Sequence, residues 1–544
     1  MLQSEHLRGG RLLYGLLLVL FLLLLYNLGG WGVIETSEAR YAEISREMWQ
    51  SGQLLHPRLL GIQHFHKPPV TYQVSALGME LFGPNAFGAR FFLQVSLVLQ
   101  VWLVYLIGKL LFRDGRQALL AAVVYLTIPA VLLSARNLTT DSFLTTFELA
   151  AIWAWLRYKA DAKAGWLYLF YFLLALAFLT KGPVGLIFPA LVAIGLAGGF
   201  TTAKKRSPAW HHVPAILLFL VIGGSWYAYL MLQDPQFVDY FLFKHTVQRY
   251  ANPETFGRSK PWWFYLVLAP ALSLPWSAIL VVYFKKLKEL PAQFKRLFIL
   301  WILVPLVFFS FSGSKLILYI LPLFAGQALL TAWLLRALSA EALRKVTRGS
   351  LVYFGVLAVA FLLAPLLPVG IDLPLWALVF PVLMLVGLFI VWRRPLPQLQ
   401  ALLAGALLFT LLLLPYSTHL MGHNPQLTNG SRPIANVIRQ HNLAQRPILV
   451  YNKLLPSLAF ELNRSIVSLE DGSSDLDREV QFERDERWRE DFLRLEDPAD
   501  AARLRQLLQQ QPVLVVKNTL PKERQWLLQH FSQHVKVGKW TVFY

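Results

Sequence analysis

Apolar runs of about 18–22 residues recur through the first three quarters of the chain, separated by short polar links. At about 1.5 Å of helical rise per residue, such a run crosses the ~30 Å hydrocarbon layer of a bilayer. A chain built this way cannot fold as one water-soluble core. It predicts a polytopic α-helical membrane protein. Composition agrees: 56% of the 544 residues are hydrophobic and only 15% charged. The first run, "LLYGLLLVLFLLLLYNLGGW", follows Arg8 and Arg11. It is long for a signal-peptide core and no small-x-small cleavage site follows, so an uncleaved first span is expected.

Thirteen spans are expected, at roughly 12–30, 91–112, 117–135, 142–158, 167–180, 183–199, 213–231, 263–284, 297–312, 316–335, 350–367, 375–392 and 399–416. The links after every even-numbered span are basic, among them "RDGR", "TTAKKR" and "WRRP". Positive charge marks the cytoplasmic side, which puts the N-terminus there and the C-terminal segment outside. The net charge of +20 does not point to nucleic acid, because the surplus lies in these short links. There is no cysteine, hence no disulfide framework and no thiolate metal site.

Two outer segments exceed plain connectors. Residues 31–90 hold "SEARYAEISREMWQSG" and "VTYQVSALGMELFG", amphipathic patterns expected to lie along the membrane surface; residues 232–262 mix polar and aromatic residues. After Tyr416 the character changes. "RPILVYN", "QPVLVVKN" and "KWTVFY" read as strands and "DPADAARLRQLLQQ" as a helix. The expected division is a membrane domain over 1–416 and a small outer α/β domain over 417–544. Neither a Walker loop nor a G-x-G-x-x-G stretch occurs, which argues against a nucleotide-driven pump.

Charge at a membrane face is costly unless it is paired or used. Glu43, Arg46 and Glu47 read as a solvated, self-paired helix. Glu35 and Glu38 stand where the chain leaves the bilayer, placed to meet a lipid headgroup. Asp141 opens the fourth span, either as a helix N-cap or as an acidic partner to Glu38. Lys67, Lys181 and Lys315 all fall on the outer side beside Gly or Pro. Snorkelling explains one such lysine; three favour contacts to a lipid-linked phosphate, which His245, Arg249 and Arg258 could join. His66 with His245 is a weak zinc-type signal.

Seven stretches, "EARYAEISREM", "HFHKPPVTY", "LFGPNAFGAR", "TTDSF", "LTKGPVG", "KHTVQRYA" and "GSKLILYILP", occur in order over most of residues 1–330. In this the chain resembles the bacterial aminoarabinose transferases, lipid A-modifying relatives of the protein mannosyltransferases in the GT-C superfamily. The resemblance implies a multi-pass inner-membrane glycosyltransferase with a periplasmic C-terminal domain, whose partners are an undecaprenyl-phosphate-linked sugar, lipid A or another outer acceptor, and membrane lipids. By matching position it makes Glu38 and Asp141 the acidic pair. Lys67, Lys181, Arg249 and Lys315 become carrier-phosphate contacts, with Tyr319, Arg40 and Tyr41 nearby, and His245 a metal ligand. Two positions depart from the family. Ser37-Glu38 stands where Asp-Glu is usual, so the working carboxylate would be Glu38 or Glu35. His66 stands where Glu is frequent, and imidazole also ligates zinc.

The leaving group would be a phosphate whose charge must be stabilised, and single displacement implies inversion at the anomeric carbon. A hydroxyl acceptor needs a carboxylate base; an ionised phosphate acceptor does not. The rival readings are a protein O-mannosyltransferase-like enzyme and a transporter or flippase of lipid-linked precursors. The latter calls for charge near the midplane and broken helices in paired repeats.

Overall fold

The structure is a computed structural model and describes residues 2–197, 208–233, 237, 260–366, 368, 370–473, 478–483 and 485–544. The chain forms two compact units: Met1–Asn27 with Leu93–Leu420, and Leu28–Phe92 with Met421–Tyr544. Segment 28–92, which the sequence assigns to the membrane domain, therefore belongs with the C-terminal residues.

The first unit is helical and apolar. Among the described residues the expected spans coincide largely with helix, although the first, 12–30, leaves its helix at Leu25. Among the described residues seven helices are by themselves long and apolar enough to cross a bilayer, or eight if one bent pair is a single span. Leu12–Leu25, Gly115–Leu126, Pro183–Gly195 and Leu323–Ala337 are apolar but shorter. Thr140–Asp161 is long but carries Asp141, Glu148 and Arg157. The protein is thus a multi-pass helical membrane protein.

Span 263–284, expected as one helix, is broken. Phe264–Ala271 and Trp276–Val282 meet at 108°. Pro275 has no N–H to continue the first helix. Backbone groups freed at membrane depth need partners inside the protein. Here the Leu272 carbonyl accepts from Ala130 N (3.0 Å), and Ser277 Oγ donates to the Pro270 carbonyl (2.6 Å). Trp276 Nε1 donates to Thr127 Oγ1 at 3.1 Å, holding the second half. A π-helical turn at Ile299–Leu303 precedes Pro305 in the next span. The buried Trp301 in that turn lies against Gly326, where an added Cβ would come within 2.8 Å of the indole.

A buried polar ladder fixes the helix that carries Asp141. Gln100 donates to the Ser142 carbonyl (2.8 Å) and to Thr146 Oγ1 (3.0 Å), and accepts from the Tyr125 hydroxyl (2.7 Å). Ser96 and Thr146 share a hydroxyl contact of 2.5 Å. Interhelical hydrogen bonds of this kind set rotation as well as distance, because an unmatched polar group in hydrocarbon is costly.

The second unit contains a six-stranded sheet. Its strands are β3 (Ile448–Tyr451), β4 (Val467–Glu470), β5 (Phe492–Arg494), β6 (Val513–Lys517), β7 (His534–Val537) and β8 (Trp540–Phe543), after a two-stranded ribbon of β1 (Arg58–Leu59) and β2 (Ile62–Gln63). The order is β5-β4-β3-β6-β8-β7, parallel from β5 to β6 and antiparallel beyond. The expected strands at 446–452, 511–518 and 539–544 are β3, β6 and β8; β4, β5 and β7 were not foreseen.

Alternation along β3 and β6 serves two apolar layers. Leu449, Leu514 and Val516 pack with Leu504, Leu507 and Leu508 of the expected helix Pro498–Gln509. Ile448, Val450, Val513 and Val515 face the other way and join Ile434, Ile438 and Leu458. Ile44, Met48, Leu59 and Tyr72 complete that second layer. The helix Ser37–Ser51 is therefore part of a protein core, not an amphipathic helix resting on lipid. Its pair Glu43–Arg46 is self-paired as expected but buried, at 2.6 and 2.8 Å. Glu47 turns to the β1–β2 link, accepting from Leu60 N (2.6 Å) and Gly61 N (3.1 Å). Both link residues have positive φ, which a tight two-residue turn demands and a leucine resists.

Candidate active site

The polar residues singled out from the sequence fall into two clusters, one in each unit. In the first unit the helix Ala164–Lys181 ends at Gly182 (φ +80°). This brings Lys181 of its last turn against Asp141 in the first turn of Thr140–Asp161. Asp141 is not the N-cap: Thr139 holds that position, and its hydroxyl donates to Asp141 Oδ2 at 3.3 Å. Lys181 Nζ also lies 3.9 Å from the centre of the Tyr319 ring. The stretch 315–319 is held by Tyr265, whose hydroxyl donates to the Leu316 carbonyl at 2.7 Å. Lys315 is buried and donates to the Lys260 carbonyl (2.8 Å).

Glu148 lies two turns along from Asp141. It is fully buried, neither carboxylate oxygen has a hydrogen-bond partner among the described residues, and it is within electrostatic reach of Lys181 and Asp141. One carboxylate thus pairs with the lysine, and a second, unpaired by hydrogen bonds among the described residues, feels its charge. An acid in the middle of an apolar run is itself a signal of function, but sequence reasoning passed over it.

In the second unit Glu38 does not face a headgroup. Arg90 grips both its oxygens at 2.7 Å, and Ile34 N donates to Oε2 at 2.7 Å. Both side chains are completely buried. Arg90 also donates to the Leu28 and Gly32 carbonyls (3.0 and 2.5 Å) and stacks on Trp31 at 4.3 Å. This is a clamp on the segment that leaves the first span. Glu35 accepts from Ser457 N at 3.3 Å, at the start of helix Pro456–Leu462. Burial pushes its pKa up to about 7.

Around His66 the sequence anticipated one partner, His245, which with Arg249 and Arg258 lies outside the described residues. The structure adds two others. His64 and His66 meet edge to face at 4.4 Å between ring centres. Both address Glu479 Oε2, His64 Nδ1 at 3.1 Å and His66 Nε2 at 3.7 Å. Arg40, expected beside the substrate, donates to Glu479 Oε1 at 3.1 Å. Burial and the neighbouring His64 lower the His66 pKa to about 4. Burial alone would raise Glu479; hydrogen bonds from His64 and His66, with the Arg40 charge, outweigh it and hold the carboxyl below its usual range. Lys67 follows His66 directly and is half-buried, and Tyr41 stacks on Tyr72 at 5.5 Å. Nothing in the sequence marks Glu479, one acid in a stretch of mixed charge 400 residues on.

Residues 66–227 match the family model described as dolichyl-phosphate-mannose-protein mannosyltransferase. That match contains Lys67, Asp141, Glu148 and Lys181. The chain is 33% identical over 325 residues to undecaprenyl phosphate-alpha-4-amino-4-deoxy-L-arabinose arabinosyl transferase 2 of Pseudomonas fluorescens, covering 59% of this chain and 58% of that protein. It is 32% identical over 358 residues to arabinosyl transferase 1 of the same description from Proteus mirabilis, covering 63% and 64%. The matches therefore span somewhat under two thirds of these curated relatives. Among solved structures, ArnT from Cupriavidus metallidurans bound to undecaprenyl phosphate superposes with a TM-score of 0.77 at 22% identity, over 98% of this chain and 97% of that one. At that identity the likeness establishes the fold, which is the one the sequence motifs led us to expect.

Proposed function

We propose that the chain is an integral-membrane glycosyltransferase that moves an amino sugar from an undecaprenyl-phosphate carrier to lipid A or another outer acceptor, with inversion. The observation that carries this reading is the buried Asp141–Lys181 pair capped by Tyr319, in a chain similar over more than half its length to arabinosyl transferases. In this reading the acceptor oxygen attacks the anomeric carbon as the bond from that carbon to the phosphate oxygen breaks. The carrier phosphate departs with the bonding electrons.

Lys181 has a preset position for that departing charge. Asp141 keeps it aimed, and the Tyr319 face packs against it without competing for its protons. A group already oriented and partly desolvated gains more from developing charge than one that must reorganise. Lys315 and Lys67 are assigned to carrier phosphate through the resemblance, as is Arg249. Glu38, held by Arg90, serves in this account to fix the outer segment. If the acceptor is an ionised phosphate, no base is required. Asp141 and Glu148 then leave the site rich in acid, which suits the ammonium of a 4-amino sugar.

A second reading has one specific support, the mannosyltransferase family match over 66–227. A protein hydroxyl as acceptor would require Asp141 to take a proton. Mass spectrometry of lipid A from cells with and without the gene separates the two. A mass increment of one amino sugar supports the first reading; unmodified lipid A with a glycosylated protein supports the second. We place the N-terminus in the cytoplasm and the C-terminal domain in the periplasm of a bacterial inner membrane, from the basic links. Protease accessibility of the C-terminus in spheroplasts tests that orientation.

A further inference from the structure

Tyr168 and Tyr171 stand three residues apart in the first half of helix Ala164–Lys181, and so lie on one face of it. Each meets one of two adjacent histidines. Tyr168 Oη lies 3.2 Å from Nδ1 of His211, which closes the short 3-10 turn Ala209–His211. Tyr171 Oη lies 3.3 Å from Nδ1 of His212, which opens helix His212–Gln233. We propose that His211 and His212 form a binding site for the phosphate of an anionic phospholipid headgroup, at the membrane face where these two helices begin.

The hydrogen bonds are the first support. A hydroxyl donating to Nδ1 leaves the proton of a neutral imidazole on Nε2, and a protonated ring carries one there too. Each ring thus keeps an N–H donor on Nε2, and neither Nε2 is hydrogen-bonded among the described residues. Two adjacent rings that present N–H donors suit an anion.

The rings are also fixed in place. Around His212 stand Trp155, Tyr158 and Tyr171, with ring centres at 6.4, 6.1 and 6.1 Å. Trp210 stacks on His211 at 3.9 Å, and Tyr168 meets it edge-on at 6.0 Å. Donors held this way lose little freedom when they bind.

The third support is location. Lys159 lies in the last turn of Thr140–Asp161 and the exposed Lys163 caps Ala164–Lys181, so cationic side chains stand at the same end of these helices. Trp210 is 63% exposed, as suits the membrane–water boundary where tryptophan concentrates. Basic pockets between helices at that boundary take anionic headgroups. In the orientation proposed above it is the cytoplasmic leaflet. The inference rests on the membrane fold and not on the transferase reading.

The test uses the full chain, delipidated in detergent and titrated separately with phosphatidylglycerol, phosphatidylcholine and inorganic phosphate. Bound lipid is counted by native mass spectrometry and melting temperature is followed alongside. Wild type is expected to bind phosphatidylglycerol roughly tenfold more tightly than phosphatidylcholine. The double variant His211→Phe with His212→Phe keeps a ring at each position but has no Nε2 donor, and it is expected to bind the two lipids alike. A photoreactive phosphatidylglycerol on wild type should label residues within 155–171 or 208–212, which tests the site without any substitution. Equal binding of the two lipids by wild type overturns the proposal. So does an undiminished preference in the double variant, or labelling confined to other segments. Inorganic phosphate is expected to leave the melting temperature unchanged at concentrations where phosphatidylglycerol raises it; an equal rise would assign the site to a free anion and overturn the headgroup reading.

Discussion

The Lys181 ammonium stands 3.9 Å from the centre of the Tyr319 ring while Asp141 takes up its charge. A cation over a desolvated aromatic face is worth about 2 kcal/mol. Tyr319→Phe keeps the face and should retain most transfer activity. Tyr319→Leu removes it and should lower kcat by roughly tenfold or more. Equal loss in both would show that the hydroxyl, not the ring, is what matters. The assay is transfer from a polyprenyl-linked amino sugar in detergent.

Breaking the buried pair should cost both stability and activity, but separably. Lys181→Met leaves Asp141 uncompensated and should destabilise by about 3–5 kcal/mol. Adding Asp141→Asn should restore much of that stability, since an uncharged pair carries no unpaid desolvation. Activity should stay down by about 100-fold in the double variant. Recovery of activity along with melting temperature would make the pair purely structural.

Glu148 has no hydrogen-bond partner among the described residues and is fully buried. If it serves the site, Glu148→Gln should raise or preserve the melting temperature and still reduce transfer at least about tenfold. An unchanged kcat with a higher melting temperature would reduce it to a tolerated defect.

Arg90 grips Glu38 and two carbonyls from a fully buried position. Arg90→Ala should cost about 3–5 kcal/mol, and Arg90→Lys nearly as much, because an ammonium cannot span both carboxylate oxygens. The measurement is thermal unfolding in detergent. A shift of less than a degree would refute the clamp.

Glu35 supplies a pH dependence. Its pKa stands at about 7 in the fold against an ordinary 4.5. The native state therefore holds a proton that the unfolded chain has released. The stability this brings is complete below pH 4.5 and is lost as pH rises through 7, on the order of 3 kcal/mol. Glu35→Gln should flatten the decline between pH 4.5 and 7 in the chain's melting profile. A Glu35→Gln profile that falls between pH 4.5 and 7 as steeply as wild type, relative to its own value at pH 4, would contradict the shift.

Much of the fold was legible because the relevant quantities are local. An apolar run long enough to cross a bilayer declares itself residue by residue, and among the described residues seven or eight helices are long and apolar enough to do so. Strands β3, β6 and β8 could be read from their β-branched cores. Lys181 and Asp141 were both visible as charges out of place. Their pairing was not, because 40 residues and a helix reversal separate them. Leu272–Pro275 carried the letters of a break, yet the depth of the bend depends on Ala130 and Thr127 accepting or donating across the fold.

Burial and charge cost could be summed along the chain, and they determined a helical membrane protein with a separate α/β segment. Partnership could not be summed. Glu38 reads as an exposed acid until Arg90 arrives from 52 residues away, and Glu479 reads as nothing until two histidines face it. The free energy of an ion pair or a ligand set depends on distances that only packing creates, so those residues acquired their roles in three dimensions.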